Sequence, residues 1–167
     1  MAKVLAIVEQ RDGTLKKVSE EVVTAARMIA DGIGGEVDAV VVGGSGIGEA
    51  AKGLGRFGAD RVIAVEAEAL KAYNPQGYAE ALAERAKAED YFAVLFPATS
   101  AGRDLAPRVA AKLDVPMASE VTDLKVEGGQ EARRGGCQPR RTGRAALHLA
   151  EDGQEPSGLD LPKTGRQ

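Results

Sequence analysis

Two glycine-containing loops hold the residues of this sequence whose types and spacing best suit ligand binding. The first lies in VVVGGSGIGEAA, residues 40–51, where a hydrophobic run leads through glycines into a helical pattern. Gly46, Gly48 and Ala51 fit G-x-G-x-x-A, a form of the dinucleotide-binding fingerprint, in which glycines let the backbone approach a pyrophosphate. The same residues also suit a tight turn from a strand into a helix, so both interpretations are open at this point.

The position of this loop along the chain argues against a dinucleotide site. A fingerprint normally follows the first strand of its unit, and an acidic residue about 20 residues later holds the ribose. This loop instead follows the second predicted strand. The distance along the chain from the loop to Glu66, at the end of the third strand, can nevertheless be made to fit the expected spacing. The loop after the first strand, residues 10–13, has no such glycine set. We therefore expect a strand-to-helix turn that tolerates an anion or a partner at Gly44, Ser45 and Gly46.

The second loop lies in FPATSAGRDLAPRVAAKL, residues 96–113, and is richer in polar groups. Pro107 lacks an N–H and is best tolerated in the first turn of a helix, which predicts an N-cap near Asp104 unless the helix kinks. Two hydroxyls, a glycine and a guanidinium then lie in the preceding loop, where they suit a phosphate or a partner's carboxylate. These candidates are Thr99, Ser100, Gly102 and Arg103. The alternative is that Ser100 or Asp104 only caps the helix and that Arg103 pairs with a neighbouring acid.

Residues for nucleophilic, histidine-based or metal chemistry are scarce. The single histidine, His148, and the single cysteine, Cys137, lie in a polar carboxyl-terminal segment without evident supporting residues. Carboxylates are numerous, but no pair is placed in an evident catalytic arrangement by the apolar elements. We therefore predict no catalytic residue, no metal site and no enzymatic activity for this chain.

Five apolar runs alternate with helical patterns and predict the elements that position these loops. The first four runs are nearly continuous in apolar residues, which is typical of strands covered by helices on both faces. The predicted strands are residues 4–9, 37–42, 61–65, 92–96 and 121–126. Connections of this length give right-handed crossovers. The sequence predicts an α/β fold: a doubly wound, mainly parallel sheet sandwiched by helices, Rossmann-like and similar to the adenine-nucleotide hydrolases.

Capping residues predict where two of the helices begin and end. Ser19 is predicted as the N-cap of the first helix, with acidic residues following it, and glycines near Gly34 are expected to end that helix. Asn74 followed by Pro75 predicts the start of another helix, because the missing proline N–H costs nothing at the first helical position.

The composition excludes several classes of protein. Of the 167 residues, 44% are hydrophobic and 28% are charged, which is a globular balance. A net charge of -3 argues against nucleic-acid binding, and no apolar run is long enough to span a bilayer. One cysteine excludes an internal disulfide framework. A strand pattern begins almost at the first residue and leaves no room for a targeting peptide, so we expect a cytoplasmic protein without membrane insertion.

The apolar pattern stops after Glu127. Residues 130–167 are dominated by Gly, Arg, Pro and Gln, and only residues 145–150 offer a short apolar turn. So little apolar surface does not offset the entropy of ordering the chain. The sequence therefore predicts a folded domain over residues 1–129 and a disordered tail over 130–167. The abrupt change also resembles out-of-frame translation of a GC-rich gene, and we hypothesise a frameshift near residues 128–130.

Three segments of the chain carry a family resemblance: KVLAIVEQRDGTLKKVSEEVVTAAR, GSGIGEAAKGLGRFGADRVIAVE and VLFPATSAGRDLAPRVAAKLDVPMASEVTDLKVEGG. They resemble the amino-terminal domain of the electron transfer flavoprotein α subunit, and together the resemblance covers about residues 2–129. The third segment is the most specific. The resemblance implies a heterodimer with a β subunit that carries electrons from dehydrogenases to an acceptor through FAD. It also implies that the flavin is held mainly by a carboxyl-terminal domain, and that AMP, where present, belongs to the β subunit.

No segment matches the flavin-binding motifs of that family, so the resemblance assigns no FAD ligand to any position of this chain. On this interpretation the chain is a truncated α subunit that keeps the scaffold domain and binds no flavin by itself. The alternative is a stand-alone adenine-nucleotide-binding module of the universal-stress-protein type. Such a module would use the loops at residues 43–48 and 97–103 to hold adenosine phosphates.

Overall fold

The computed structural model describes residues 1–121 and 145–149, and in them six parallel strands form one sheet. The strands in chain order are β1 (Lys3–Val8), β2 (Gln10–Arg11), β3 (Thr14–Leu15), β4 (Glu36–Gly43), β5 (Arg61–Glu66), β6 (Tyr91–Phe96), β7 (Met117–Val121) and β8 (Ala145–Leu149). The order across the sheet is β5-β4-β1-β6-β8-β7, while β2 and β3 form a separate two-residue hairpin. The predicted parallel sheet is confirmed.

Helices cover both faces of the sheet. They are α1 (Val18–Ile33), α2 (Ile47–Ala51), α3 (Pro75–Ala88) and α4 (Ser100–Leu113), with short 3-10 helices at Lys52–Phe57 and Glu68–Leu70. One core lies between the sheet and α3 and α4, and a second lies between the sheet and α1. Because β1 contributes Leu5 to the first core and Val4 to the second, its apolar residues are continuous rather than alternating. The doubly wound α/β fold is therefore confirmed.

Two of the predicted helix ends are confirmed by their capping contacts. The side chain of Asn74 accepts a 3.3 Å hydrogen bond from the N–H of Gly77, and Pro75 is the first residue of α3. At the end of α1, Gly34 adopts a φ of 65°, and its N–H donates to the carbonyl of Ala30. The left-handed conformation is one that glycine reaches without a steric penalty, so this residue ends the helix cheaply.

The predicted N-cap at Ser19 is wrong. Helix α1 begins at Val18, and Ser19 lies fully buried in its first turn. The hydroxyl of Ser19 donates to the carbonyl of Glu9 at 2.9 Å and accepts from the N–H of Glu9 at 3.1 Å. The side chain therefore fixes the backbone just after β1 instead of capping its own helix, because a tertiary partner satisfies it better than the helix end does.

The carboxyl-terminal part of the sheet differs from the prediction. The fifth apolar run forms its strand at Met117–Val121, earlier than the predicted 121–126, and residues 122–126 lie outside the described part. The expected disorder of residues 130–167 is wrong at Ala145–Leu149, which forms β8 between β6 and β7, with His148 opposite Phe96 in the register. The backbone of this apolar run completes ladders with two strands at once. The other residues of 130–167, Cys137 among them, lie outside the described residues.

Candidate functional site

The sheet reverses its strand order at β1, and a cavity lies there. From β1 the chain passes outward through β4 to β5 and then returns to the other side of β1 as β6. The loops after β1 and β6 therefore diverge and leave a crevice at the carboxyl ends of the strands, which is where ligands bind in folds of this kind. A cavity of about 810 Å³ occupies this position, and its lining includes residues that follow β1 and β6 and residues that precede α3.

The cavity has an apolar floor and a polar rim. Its floor includes Leu82 and Phe96, which are almost fully buried. Among the described residues, the basic side chains that line it outnumber the acidic ones. The basic ones are Arg11, Lys16, Lys71 and Arg103, and the acidic ones are Glu9 and Asp12. An enclosed apolar surface with a few polar groups at its rim is the usual form of a small-molecule site.

Glu9 links the two loops that flank the crevice. Its carboxylate forms an ion pair with Lys16 and accepts a hydrogen bond from the hydroxyl of Thr99. The backbone of Glu9 is fixed in turn by Ser19. Thr99, on the loop after β6, is thereby held against the end of β1, so the mouth of the cavity has a defined geometry.

Gln10 and Tyr78 close the side of the cavity next to β4. The Gln10 amide nitrogen donates to the Tyr78 hydroxyl at 3.0 Å, and the Gln10 oxygen accepts from the Gly13 N–H at 3.0 Å. The Tyr78 hydroxyl lies 2.9 Å from the carbonyl of Leu70 and 3.2 Å from that of Val42, both of which accept from it. Burial raises the pKa of Tyr78, so its hydroxyl keeps its proton and remains a donor at neutral pH.

Tyr73 presents a partly exposed ring at the rim. It lies edge-on to Tyr78, with ring centroids 5.2 Å apart and an interplanar angle of 70°. Its hydroxyl donates a 2.7 Å hydrogen bond to Asp104, whose other carboxylate oxygen accepts from Arg108 at 2.9 Å. Burial and the hydrogen bond to Asp104 raise the pKa of Tyr73, and the hydrogen bonds from Tyr73 and Arg108 lower the pKa of Asp104. The ring is thus anchored while 44% of the residue stays exposed.

The N-cap of α4 lies five residues earlier than the predicted N-cap at Asp104. Thr99 is the N-cap, since its hydroxyl accepts a 3.0 Å hydrogen bond from the N–H of Gly102, and Pro107 lies inside the helix. Ser100, Gly102 and Arg103 are therefore helical residues rather than loop residues. All of them, with Thr99, line the same cavity, so the structure brings the four residues of the predicted second loop together.

Gly102 has a steric reason to be glycine. A Cβ atom at this position would lie 1.8 Å from the carbonyl oxygen of Pro97, well inside any allowed contact. The first turn of α4 therefore packs directly on the backbone that leaves β6. This close approach explains the residue type without any ligand.

The first glycine loop is a strand-to-helix turn, as predicted. Strand β4 ends at Gly43, and Gly46, with a φ of 87°, is the N-cap of the short α2. A Cβ atom on Gly44 would lie 3.1 Å from the Cβ of Lys71. Gly44, Ser45 and Gly46 are not among the residues that line the cavity, so the two predicted loops do not form one site.

Glu66 satisfies the helix end that a pyrophosphate would need. Its carboxylate accepts a 3.0 Å hydrogen bond from the N–H of Gly48, and hydrogen bonds from the backbone of Gly48 and Gly46 lower the pKa of Glu66. In a fingerprint the same acidic position would bind a ribose instead. The residues of this loop therefore do not fit a dinucleotide, because the chain supplies the anion itself.

A second polar cluster lies at the opposite, amino-terminal edge of the sheet. Asp38 is 1% exposed and accepts hydrogen bonds from Arg61 Nε at 3.0 Å and from the Tyr91 hydroxyl at 2.6 Å. Arg85 donates to the same hydroxyl at 2.8 Å. Burial and the bond to Asp38 raise the pKa of Tyr91 to about 12. Among the described residues Arg85 Nε is buried without a hydrogen-bond partner, while the other contacts of the cluster tie the starts of three strands together.

Glu89 completes this cluster. It forms ion pairs with Lys3, Arg61 and Arg85, and hydrogen bonds from these three side chains lower its pKa to about 2. Sequence reasoning missed both the cluster and several cavity residues, including Glu9, Lys71, Tyr73 and Tyr78. These residues come from separate segments of the chain and carry no local motif.

Within residues 1–121 and 145–149, no three histidine, cysteine or carboxylate side chains come together as metal ligands would. In the same residues, no helix has the length and hydropathy that a membrane crossing requires.

Comparison with known proteins gives one family. The model of the electron transfer flavoprotein domain matches residues 4–136. The electron transfer flavoprotein subunit alpha of Thermoanaerobacterium thermosaccharolyticum is 40% identical over 119 residues, which are 71% of this chain and 36% of that protein. The corresponding subunit of Bacillus subtilis is 35% identical over 127 residues, 76% of this chain and 38% of that protein.

A third relative extends the match toward the carboxyl terminus. The electron transfer flavoprotein subunit alpha of Mycobacterium leprae is 33% identical in an alignment that covers 97% of this chain and 54% of that protein. The chain thus spans between about a third and about half of the length of these relatives. A solved universal stress protein in complex with cAMP matches 68% of this chain at 21% identity and a TM-score of 0.40, which is too low to support any conclusion.

Proposed function

The chain belongs to the electron transfer flavoprotein domain family, and we propose that it is the amino-terminal module of an α-type subunit that pairs with a β subunit. The observation that carries this proposal is the family match over residues 4–136, which includes nearly all of the described sheet and its helices. The relatives that support it are named as alpha subunits of electron transfer flavoproteins, and each is longer than this chain. The assembled protein would carry electrons from dehydrogenases to an acceptor through FAD.

Within that assembly the role proposed for this module is structural rather than chemical. Glu66 fills the helix end at which a dinucleotide would bind. We therefore assign FAD to no residue of this chain and derive no electron-transfer step from its side chains. The parallel sheet and its two packed cores instead offer a stable surface for a partner subunit.

The first glycine loop is the surface that we propose for partner contact. Ser45 and Gly46 are exposed at the tip of the turn, and the helix end behind them is already satisfied by Glu66. A partner that approaches this turn would therefore meet a helix end whose backbone is already hydrogen-bonded. Replacing Ser45 with tryptophan is expected to weaken pairing, whereas Glu84→Trp on the exposed face of α3 serves as the control.

Pairing and flavin content test the proposal together. The chain is expressed with an electron transfer flavoprotein β subunit, purified through a tag on one partner, and passed over a gel-filtration column with absorbance recorded in the flavin region. We expect co-elution of the two chains at equal ratio and no flavin absorbance from this chain by itself. Separate elution at micromolar concentration contradicts the pairing, and flavin that stays with the isolated chain contradicts the assignment of FAD to other residues.

The alternative of a stand-alone module of the universal-stress-protein type rests on architecture alone. The family match and the named relatives favour the α-subunit proposal instead. Titration of the isolated chain with ATP, AMP and NAD, next to the pairing experiment, separates the two: nucleotide binding without pairing would support the stand-alone module.

A further inference from the structure

The hairpin that follows β1 turns through two residues in the left-handed region of the backbone. Its strands β2 and β3 pair antiparallel, and Asp12 and Gly13 form the loop between them. Asp12 has a φ of 51° and Gly13 a φ of 81°. A type I′ turn requires positive φ at both central residues, and Asp-Gly is one of the pairs that it favours. The turn therefore holds an aspartate directly before a glycine at the tip of the hairpin.

An aspartate that precedes a glycine is able to react with its own backbone. The glycine nitrogen attacks the side-chain carboxyl carbon, so that a C–N bond forms, a C–O bond breaks and the nitrogen's proton leaves with the hydroxyl group as water. Water then opens the resulting five-membered succinimide at either carbonyl. One opening restores aspartate, and the other gives isoaspartate, whose backbone runs through the former side chain. Glycine favours the attack because it has no side chain to obstruct it.

The surroundings of Asp12 leave room for this reaction. Its side chain is 95% exposed, and its ion pair with Arg11, at 3.9 Å, is screened by water because the arginine side chain is 81% exposed. No atom of the described residues lies within 4 Å of a Cβ built on Gly13, so the space for a ring is open. The Gly13 N–H donates a 3.0 Å hydrogen bond to Gln10 Oε1, but this contact is exposed and between neutral groups, so its net contribution is small.

We infer that Asp12 is a site of spontaneous isoaspartate formation, through attack of the Gly13 nitrogen on the Asp12 carboxyl group. The product adds one carbon atom to the backbone of a two-residue loop whose length sets the register of the hairpin. The extra atom displaces Gly13 from Gln10, whose amide also donates to the Tyr78 hydroxyl, so the change reaches the wall of the cavity. The inference goes beyond the proposed pairing with a β subunit and does not depend on it.

The same dipeptide occurs a second time in the described residues and serves as an internal control. Asp31 and Gly32 lie in the last turns of α1, where the helix fixes their dihedral angles and directs the Gly32 N–H to the carbonyl four residues earlier. The Asp31 carboxylate also lies 2.8 Å from Arg27 Nε, as an ion pair. Attack at this position therefore requires the end of α1 to open first, which costs free energy. A third Asp-Gly pair, at Asp152, lies outside the described residues.

Ageing of the full chain at physiological temperature tests the inference, and it continues until a synthetic peptide of residues 10–20 contains isoaspartate. Cleavage after glutamate then releases residues 10–20 and 22–36 of the aged chain as separate peptides. Mass spectrometry with electron-based fragmentation distinguishes isoaspartate from aspartate in each. We expect isoaspartate at Asp12 to exceed that at Asp31 at least about tenfold, since α1 has to open before the second site reacts. Comparable amounts at the two sites, or none at Asp12, overturn the inference.

Matched variants identify the ring closure as the cause. Asp12→Glu would have to close a six-membered ring, so its peptide of residues 10–20 should stay unmodified. Asp12→Asn tolerates the same left-handed φ and should give isoaspartate faster than the native chain, because ammonia leaves the amide more readily than water leaves the carboxylate. Asp31→Glu is the control and should leave the yield at Asp12 unchanged. Circular dichroism before ageing checks that each variant is folded. Isomerisation of Asp12→Glu at the native rate would contradict the proposed attack by Gly13.

Discussion

The carboxylate of Glu66 accepts a 3.0 Å hydrogen bond from the backbone N–H of Gly48, across the turn that joins β4 to α2. Two residues that could be assigned to ribose and pyrophosphate binding in a dinucleotide fingerprint are therefore bound to each other. The glycine pattern of residues 43–48 is thereby explained by the fold of the chain itself.

Removing the carboxylate of Glu66 should lower stability without creating a dinucleotide site. Glu66→Gln keeps an acceptor but loses the charge, so we expect a reduced melting temperature at pH 7 and no binding of NAD. The folded-state pKa of Glu66 lies below its ordinary value. The difference in melting temperature between the variant and the native chain should therefore shrink as the pH falls below the ordinary value and through the folded-state pKa. Thermal unfolding monitored by circular dichroism measures this, with the exposed Glu84→Gln as control. An unchanged melting temperature would show that the contact contributes nothing.

Gly102 should tolerate no side chain. Gly102→Ala places a methyl group 1.8 Å from the carbonyl oxygen of Pro97, and α4 has to shift away from β6 to accommodate it. We expect a loss of about 3 kcal/mol in the free energy of unfolding, measured by urea denaturation. Gly55→Ala is the matched control, since nothing lies within 4 Å of that position, and it should be neutral or stabilising by up to about 1 kcal/mol. Similar effects at both positions would contradict the steric explanation.

The Tyr78 hydroxyl should contribute more to stability than the Tyr73 hydroxyl. Tyr78→Phe leaves the carbonyl of Leu70 and the amide of Gln10 without their buried partner, which is expected to cost about 1–3 kcal/mol. Tyr73→Phe removes one hydrogen bond at the exposed rim and should cost less than about 1 kcal/mol. Paired urea titrations compare the two variants. The reverse order would mean that the wall next to β4 is not held by Tyr78.

Glu89 should make stability depend on acid pH. Its pKa falls from 4.5 to about 2 in the folded chain, so the stabilisation from its charged form is fully present above about pH 4.5 and is lost as the pH falls toward 2. Glu89→Gln should therefore be less stable than the native chain at neutral pH, and its stability should fall less steeply over that acid range. Denaturation at a series of pH values measures the slope. Parallel curves of stability against pH for the variant and the native chain would exclude Glu89 as the cause of the acid dependence.

Much of the fold could be predicted because burial on both faces leaves a direct record in the sequence. A strand covered on both faces is apolar along most of its length, and β1, β4 and β6 lie within about one or two residues of their predicted bounds. Asn74 and Pro75 likewise mark the start of α3, since capping depends on residues that are neighbours in the chain. The glycine turn before α2 was predictable for the same reason.

Predictions failed where a distant partner competes with a local rule. Ser19 is a favourable N-cap residue, yet the backbone of Glu9 binds its hydroxyl. Pro107 favours the first turn of a helix, yet the cap at Thr99 and the packing of Gly102 on Pro97 start α4 earlier. The strand Ala145–Leu149 forms because two other strands lie ready to pair with it. For Ser19 and for the strand Ala145–Leu149, the partners lie in other parts of the chain, whereas the contacts that start α4 are local.

By itself, the sequence determined the α/β class, most strand positions, the cap of α3 and the family, because each depends on patterns that are local or continuous along the chain. Only the tertiary structure decided that the Glu66 carboxylate accepts a hydrogen bond from the backbone of the glycine loop. It likewise decided that Tyr73, Lys71 and Arg103 line one cavity. It also decided that Arg61, Tyr91 and Glu89 form one charged cluster around the buried Asp38. The physical reason is that hydrogen bonds and ion pairs depend on distances between side chains, and only the packing of helices against the sheet fixes those distances.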